Sequence, residues 1–514
     1  MTTASSAAQL TEKPRGFRLK LITMALILAP LLQVLDTSII SIALKQMQGS
    51  LSATQDQIAW ALTSYLIALA VMTPFWGAVS GRYGRKPLLL VSICGFVVCS
   101  AFCGTSETLT ELLVYRVLQG ILGAALIPLS QSALLSIYPR EDYGIAMSWW
   151  GVGIMFGPIF GPTLGGYITE FYSWRWAFYL NLPIGVVAFL MIAAVVPRPG
   201  NRTQRPFNFF GYAMLAIAIA SLQFILDRGQ RFDWFASTTI VILSGITVAA
   251  LWVFVVNSAV SRTPFVDPLL FRDRNYMSAI VLRMLFGIML FGSLVLVPPF
   301  IQNQGGYSLL DSGLIMAPRG AGAMFAAFFT GYLLKAVGPR VIITFGMVTT
   351  AVTMWEMSEF TQGVDMWRMI VINFIQGAAF SCFIIPVNTV AFSTIGDEQR
   401  DVGTAFYSLL NNIGRSLGIA LLANYLASNT QAHHARLVEF VTPYNQAFHH
   451  LPLPDIWNLS DPVGLAVLEK IINHEAELLA YIGDFRLLAV IIVICIPVVF
   501  LMRDPLRKET LAGV

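Results

Sequence analysis

The sequence predicts an all-α polytopic membrane protein. It has fourteen spans, arranged as two six-helix bundles with two additional central helices. Three observations predict this: a charge-poor apolar composition, a one-sided distribution of Lys and Arg, and an internal repeat. Of 514 residues, 56% are hydrophobic and only 12% charged, with a mean hydropathy of +0.70. A soluble domain carries about 25% charged residues. The composition therefore excludes an ordinary cytosolic enzyme, a disordered chain and a disulfide-built secreted protein.

A spanning helix needs roughly 20 apolar residues. Apolar runs of that length begin near Leu21, Ile58, Leu88, Leu109, Ala146, Phe178, Phe209, Thr238, Met277, Leu309, Val341, Met366, Gly403 and Leu487. Their orientation follows from the basic residues, which favour the cytoplasmic side. With the N-terminus inside, 20 of the 32 Lys and Arg fall on the cytoplasmic side and 8 on the other, while Arg116, Arg283, Arg319 and Arg415 lie within or at the ends of spans. An even span count then places both termini in the cytoplasm. Gaining or losing one span would invert half of this pattern. The basic residues are sorted by side and gather in no patch for nucleic acid, and the net charge is only +4.

The repeat is carried by GAVSGRYGRK from Gly77 and GYLLKAVGPR from Gly331. Each ends an even-numbered span and places a second glycine, Gly84 or Gly338, seven residues after the first. Further on come VLQG (Gln119, Gly120) and FIQG (Gln376, Gly377), followed by Pro128 and Pro386. Parallel repeats of this kind are a transporter architecture. The expected organisation is a cytoplasmic segment 1–20, a first six-helix bundle 21–197, a linker with two extra spans 198–275, a second bundle 276–502 and a cytoplasmic tail 503–514. The second bundle includes an outer segment, 428–481, whose later part VGLAVLEKIINHEAELLAYI has the spacing of an amphipathic helix.

The basic N-terminal segment precedes a run longer than a signal-peptide core and without its cleavage site, so no cleavable signal is expected. Cys94, Cys99, Cys103, Cys382 and Cys495 lie in apolar runs and read as small buried hydrophobes. The five histidines (His433, His434, His449, His450, His474) all fall in the outer segment. Paired histidines in a polar loop without a cysteine lack fixed ligand geometry, and read as a solvated or partner-contacting surface.

Asp36, midway along the first span, is the sharpest candidate. An ionised carboxylate at helix centre costs about 2.5–3.5 kcal/mol on the insertion scale, so such a residue faces a cavity or a partner. It is either a proton site or substrate counter-charge, or a carboxylate permanently paired with a buried arginine. Arg116 in the fourth span keeps its charge when buried and is either the group that tunes Asp36 or part of a fixed pair. Gln119 shares its helix face. Glu356 and Arg415 are further coupling or substrate candidates, and Gln33, Gln119, Gln376, Asn411 and Arg415 are candidates for a substrate cavity. In the fifth span, GPIFGPTLGG carries Gly157, Pro158, Gly161 and Pro162. It reads as tight helix packing, or as a bent seam that limits leakage. Gly77, Gly84, Arg82, Arg85 and Lys86 read as a tight turn whose charges reach neighbouring helix ends. Asp227 and Arg228 read as an interfacial pair.

No phosphate-cradling G-x-x-x-x-G-K-[ST] occurs, no nucleophile elbow stands out and no metal site is expected. Energy must therefore come from an ion gradient or a partner, with no cofactor.

These segments resemble the major facilitator superfamily, and more closely its fourteen-span drug:proton antiporters of the EmrB type. The likeness rests on LDTSIISIAL (Leu35–Leu44), GAVSGRYGRK, RVLQG, GPIFGPTLGG, WRWAFYLNLPIG (Trp174–Gly185), LDRGQRFDWF (Leu226–Phe235) and the HHA beginning at His433. One departure is Gly81, where the loop motif normally carries an acid. The resemblance implies a bacterial inner-membrane multidrug pump that exports hydrophobic or amphipathic, often weakly acidic, compounds in exchange for protons. It further implies a periplasmic membrane-fusion adaptor of the EmrA type, with 428–481 as its expected contact, and a TolC-like outer-membrane channel. A proton symporter for a single metabolite and a non-transporting receptor or scaffold are the alternatives.

Overall fold

Hydrocarbon offers no partner to a backbone N–H or C=O, so each apolar run must close its hydrogen bonds internally. The computed structural model describes residues 16–197, 207–361, 363–442 and 461–503, and there the chain is helical with no strand. In chain order the helices are α1 (Phe17–Ser50), α2 (Gln55–Tyr83), α3 (Arg85–Thr105), α4 (Leu109–Gly123), α5 (Leu126–Ile137), α6 (Tyr143–Phe171), α7 (Arg175–Tyr179), α8 (Asn181–Val195), α9 (Phe209–Arg228) and α10 (Thr238–Val260). They continue as α11 (Arg274–Asn303), α12 (Leu309–Val337), α13 (Pro339–Met357), α14 (Met366–Ser393), α15 (Arg400–Val438), α16 (Pro462–Cys495) and α17 (Pro497–Leu501).

Eleven helices among the described residues are long and apolar enough to cross a membrane. The expected spans from Ala146, Val341 and Gly403 fall on α6, α13 and α15, which are outside that eleven. In α13 and α15 polar residues dilute the apolar runs: Thr349, Thr350, Thr353 and Glu356 in one, Asp401, Asn411, Asn412 and Arg415 in the other. The α10 span has a hydropathy of 2.5 yet is only 17% buried. A helix apolar all round and left outside a core is one that faces lipid.

Local sequence sets the helix ends. Thr54 accepts from the Gln57 backbone N–H while the Gln57 side chain accepts from the Thr54 N–H, a full capping box for α2. Thr108, Asp273, Ser308 and Asp365 cap α4, α11, α12 and α14 through their side-chain oxygens. The two repeat-related glycines adopt the same left-handed conformation, Gly84 with φ 89° between α2 and α3 and Gly338 with φ 87° between α12 and α13. A residue with a Cβ is strained there, which accounts for the recurrence of glycine. The two VLQG-like segments differ downstream: α14 continues through Pro386, whereas the helix breaks between α4 and α5 just before Pro128. The outer segment is helical at both ends. α15 runs on to Val438, and the amphipathic stretch is continuous with the last span in the 34 residues of α16.

The chain divides into two compact units. One holds residues up to Phe209, Arg262–Val266 and Ile395–Ser408; the other holds Phe210–Ser261, Asp267–Thr394 and everything from Leu409. The two central helices belong to the second unit, apart from Phe209. The opening turns of α15 belong to the first.

Candidate functional site

Asp36 sits in α1 with none of its surface exposed. Its Oδ2 accepts from Arg116 Nη1 of α4 at 2.8 Å. Its Oδ1 accepts from Gln119 Nε2 at 3.0 Å and from Asn181 Nδ2 of α8 at 2.9 Å. Arg116, Gln119 and Asn181 are themselves fully buried. Arg116 Nη1 also donates to Gln119 Oε1 (2.7 Å) and its Nε to the Ala61 carbonyl of α2 (2.9 Å). The guanidinium lies 4.1 Å from the centre of the Tyr65 ring, a favourable cation–π distance. Of the two arrangements open to Asp36, the arginine-paired one is the arrangement in this structure.

Such a pair draws its strength from context. Desolvating two charges is costly, and only close geometry with further hydrogen bonds offsets it. Asp36 has three donors, and the cluster ties α1, α4 and α8 together. One edge remains open, because Arg116 Nη2 has no hydrogen-bond partner. Pairing with an arginine was one of the two arrangements that the sequence left open for Asp36. Asn181 was missed, since the single Asn of the LNLP stretch, 180–183, carries no sequence signal of its partner.

The glycine string of α6 packs on the Val34–Ser38 face of α1, the helix that carries Asp36. A Cβ on Gly157 would stand 2.5 Å from Val34 Cγ1, and one on Gly161 would stand 2.4 Å from Ser38 Cβ. The two glycines thus press α6 onto α1 on either side of Asp36 in sequence. The α6 backbone is helical through Pro158 and Pro162, whose side chains lie outside the described residues. Gly157→Val is expected to cost about 1–3 kcal/mol by overpacking, read as a lower thermal midpoint of the purified protein. An unchanged midpoint would contradict the close seam.

The loop charges each find a partner. Lys86 Nζ donates to the Ala193 and Val196 carbonyls at 2.8 and 2.7 Å, closing the C-terminus of α8. Arg85 Nε lies 2.5 Å from Asp401 Oδ1 in the first turn of α15. Asp401 also accepts from Ser80 Oγ at 2.7 Å and from Ser132 Oγ. Gly77 makes the approach possible, since a Cβ there would stand 2.9 Å from the Asp401 carbonyl oxygen. The acid that Gly81 does not supply is therefore brought in by Asp401, 316 residues from Arg85. Nothing in the sequence joins residues so far apart. Arg82 is exposed and lies 5.8 Å from the Tyr83 ring centre.

The remaining candidates are scattered. Gln33 is buried with its Oε1 unpartnered. In the second unit, Gln376 is fully buried; its Nε2 lies 3.6 Å from Met354 Sδ and its Oε1 has no partner. Asn411 is half-buried with Oδ1 unpartnered, and Arg415 lies over the Phe291 ring at 5.1 Å. Glu356 pairs with Arg368 at 3.0 Å, both half-exposed, so it is no buried acid. Asp227 lies 3.4 Å from Arg228. His434 lies 3.0 Å from Glu469, while His449 and His450 fall outside the described residues. No group of three potential metal ligands occurs among the described residues.

The sequence profile of the Major Facilitator Superfamily matches residues 26–419, most of the chain. The chain belongs to that superfamily. Within it, the multidrug export protein EmrB of Escherichia coli (strain K12) is 35% identical over 84% of this chain and 85% of the relative. The fatty acid resistance protein FarB of Neisseria gonorrhoeae is 30% identical over 96% of this chain and 98% of its own length. Among solved structures, the human organic anion transporter MFSD10 superposes with a TM-score of 0.58 at 14% identity, covering 92% of this chain and 99% of that one. The proton:xylose symporter XylE gives 0.55 at 15% identity, covering 92% and 94%. At that identity the structural likeness speaks for the fold alone. A multi-pass membrane protein of the major facilitator fold, related to EmrB-type export proteins, is thereby shown.

Proposed function

We propose that the protein exports hydrophobic or amphipathic toxic compounds across a bacterial inner membrane in exchange for protons. The observation that carries this reading is a fully buried carboxylate, Asp36, paired with Arg116 in a chain related along most of its length to multidrug export proteins. An ion pair at this depth is a two-position device. The proposal is that a proton takes the place of the guanidinium on Asp36 in the other state of the cycle. Arg116 stays charged throughout, and its open Nη2 gives it somewhere else to bond. One proton moving inward down 100 mV supplies roughly 2.3 kcal/mol, so a few protons sustain a substantial substrate gradient.

In this reading the chain makes fourteen spans, with both termini cytoplasmic and access alternating between two six-helix bundles. The turn holding Gly77, Arg82, Gly84, Arg85 and Lys86 acts as a cytoplasmic latch with Asp401 as its acceptor. The α6 seam at Gly157 and Gly161 limits leakage. The helical ends of the outer segment offer a surface to a periplasmic adaptor, which hands cargo to a TolC-like channel. Glu356 keeps a coupling role only if its exposed pair with Arg368 opens during the cycle.

The test is substrate-driven proton movement in vesicles holding the purified protein at a known pH gradient. Adding an exported dye is expected to collapse the gradient faster than in empty vesicles. No dye-dependent proton flux, with dye uptake intact, would replace antiport by another energy source. Proton flux in the same direction as the dye would replace it by symport.

A further inference from the structure

Arg319 lies within the α12 span, 7% exposed. Its Nε donates to Asn373 Oδ1 of α14 at 3.2 Å and its Nη1 to Ser293 Oγ of α11 at 3.1 Å. Its Nη2 is buried with no hydrogen-bond partner. Both acceptors are neutral, and no carboxylate among the described residues pairs with it. A guanidinium remains charged inside a protein, and a buried charge that lacks a counter-charge is costly.

The internal repeat shows what has changed between the halves. In the first unit a Cβ on Gly120 of α4 would stand 2.5 Å from the Tyr65 carbonyl of α2. In the second, a Cβ on Gly377 of α14 would stand 1.7 Å from the Arg319 carbonyl of α12. Arg319 therefore occupies the place of Tyr65. Asn373 stands four residues before Gly377, as Arg116 stands four before Gly120. The cation has moved from one helix of the pair to the other, and its carboxylate is gone. Where α1 supplies Asp36, α11 supplies only the hydroxyl of Ser293. The surroundings are apolar and aromatic: Phe380 lies 6.0 Å from the guanidinium and 5.8 Å from Phe286, which is 5.9 Å from Phe383.

We infer that Arg319 anchors an anion site in the second unit, taking the carboxylate or similarly small ionised head of an aromatic or aliphatic acid. The ligand's charge completes the pair that Asp36 completes in the first unit, and its apolar body lies along the Phe286–Phe380–Phe383 cluster. Ser293 and Asn373 hold the guanidinium in place without neutralising it, which leaves Nη2 for the incoming oxygen. As a cargo site this rests on the export reading; as a binding site it does not.

The test compares 2-naphthoate with neutral 2-naphthamide, by calorimetric titration of the purified full-length protein. Naphthoate is expected to bind Arg319→Gln about tenfold or more weakly than the unaltered protein, a difference of about 1.4 kcal/mol. Arg319→Lys should retain most of the affinity, and naphthamide should bind all three proteins equally. Undiminished naphthoate binding by Arg319→Gln overturns the site. So does an equal loss of both probes, or an unaltered protein with no preference for the charged one. Thermal midpoints show that the variants are folded, and Arg319→Lys decides if Arg319→Gln is not. Dye export in cells is scored separately. Export without an Arg319-dependent preference refutes the site alone, and preference without export refutes the pump reading alone.

Discussion

Neutralising both members of the buried pair, Asp36→Asn with Arg116→Gln, is expected to leave a folded protein that no longer couples transport to protons. Asp36→Asn alone strands the Arg116 charge in a site with no exposure, and breaking a buried pair at one end costs about 3–5 kcal/mol. Loss of transport in the single variant would thus confound coupling with folding. The double variant removes both charges and keeps amides able to bond Gln119 and Asn181. It is expected to regain most of the thermal stability that Asp36→Asn loses. If Asp36 carries the proton, export against a gradient stays at least about 100-fold down, equivalent to about 2.7 kcal/mol of lost driving interaction. If the pair is only a fastening between α1 and α4, stability and export return together. Midpoints and vesicle transport of the unaltered protein, Asp36→Asn and the double variant decide between the two.

Asp401→Ala is expected to be the next most damaging change. It deprives Arg85, Ser80 and Ser132 of one shared acceptor. The carboxylate and its arginine are 11% and 13% exposed, so the loss falls at the low end for a buried pair, about 3 kcal/mol. Asp401→Asn keeps an acceptor for Ser80 and should fall between the two. A double-mutant cycle with Arg85→Met isolates the ion pair. A coupling of about 1 kcal/mol or more is expected, since residues in contact do not add independently. Additive effects would mean that Arg85 and Asp401 act separately, and the latch role would go with them.

Eleven of the expected spans were legible because a backbone in hydrocarbon has few solutions and apolar length marks them; those on α6, α13 and α15 are not marked in that way. The turn glycines were legible too. The seven-residue spacing at Gly77–Gly84 and Gly331–Gly338 marks a position where the backbone must be left-handed, and Gly84 and Gly338 both are. The Asp36–Arg116 pairing was half-legible. Two charges at span depth need company, but whether the company was mutual was open. Asn181, Asp401 and the orphaned Arg319 were not legible. Their meaning depends on which helix face meets which, and a polar residue in an apolar helix announces no partner.

By itself the sequence determined which segments are helical, where the tight turns fall, that the chain repeats, and that charges inside its spans would have to be answered. Those properties are local, set by hydropathy, spacing and backbone sterics. Only the tertiary structure decided how the charges are answered: Asp36 by three donors from two helices, Arg85 by an acid far along the chain, and Arg319 by neutral groups alone. A hydrogen-bonded ion pair needs its donor and acceptor atoms about 3 Å apart. Helix packing decides which residues come that close, through contacts such as Gly377 against Arg319.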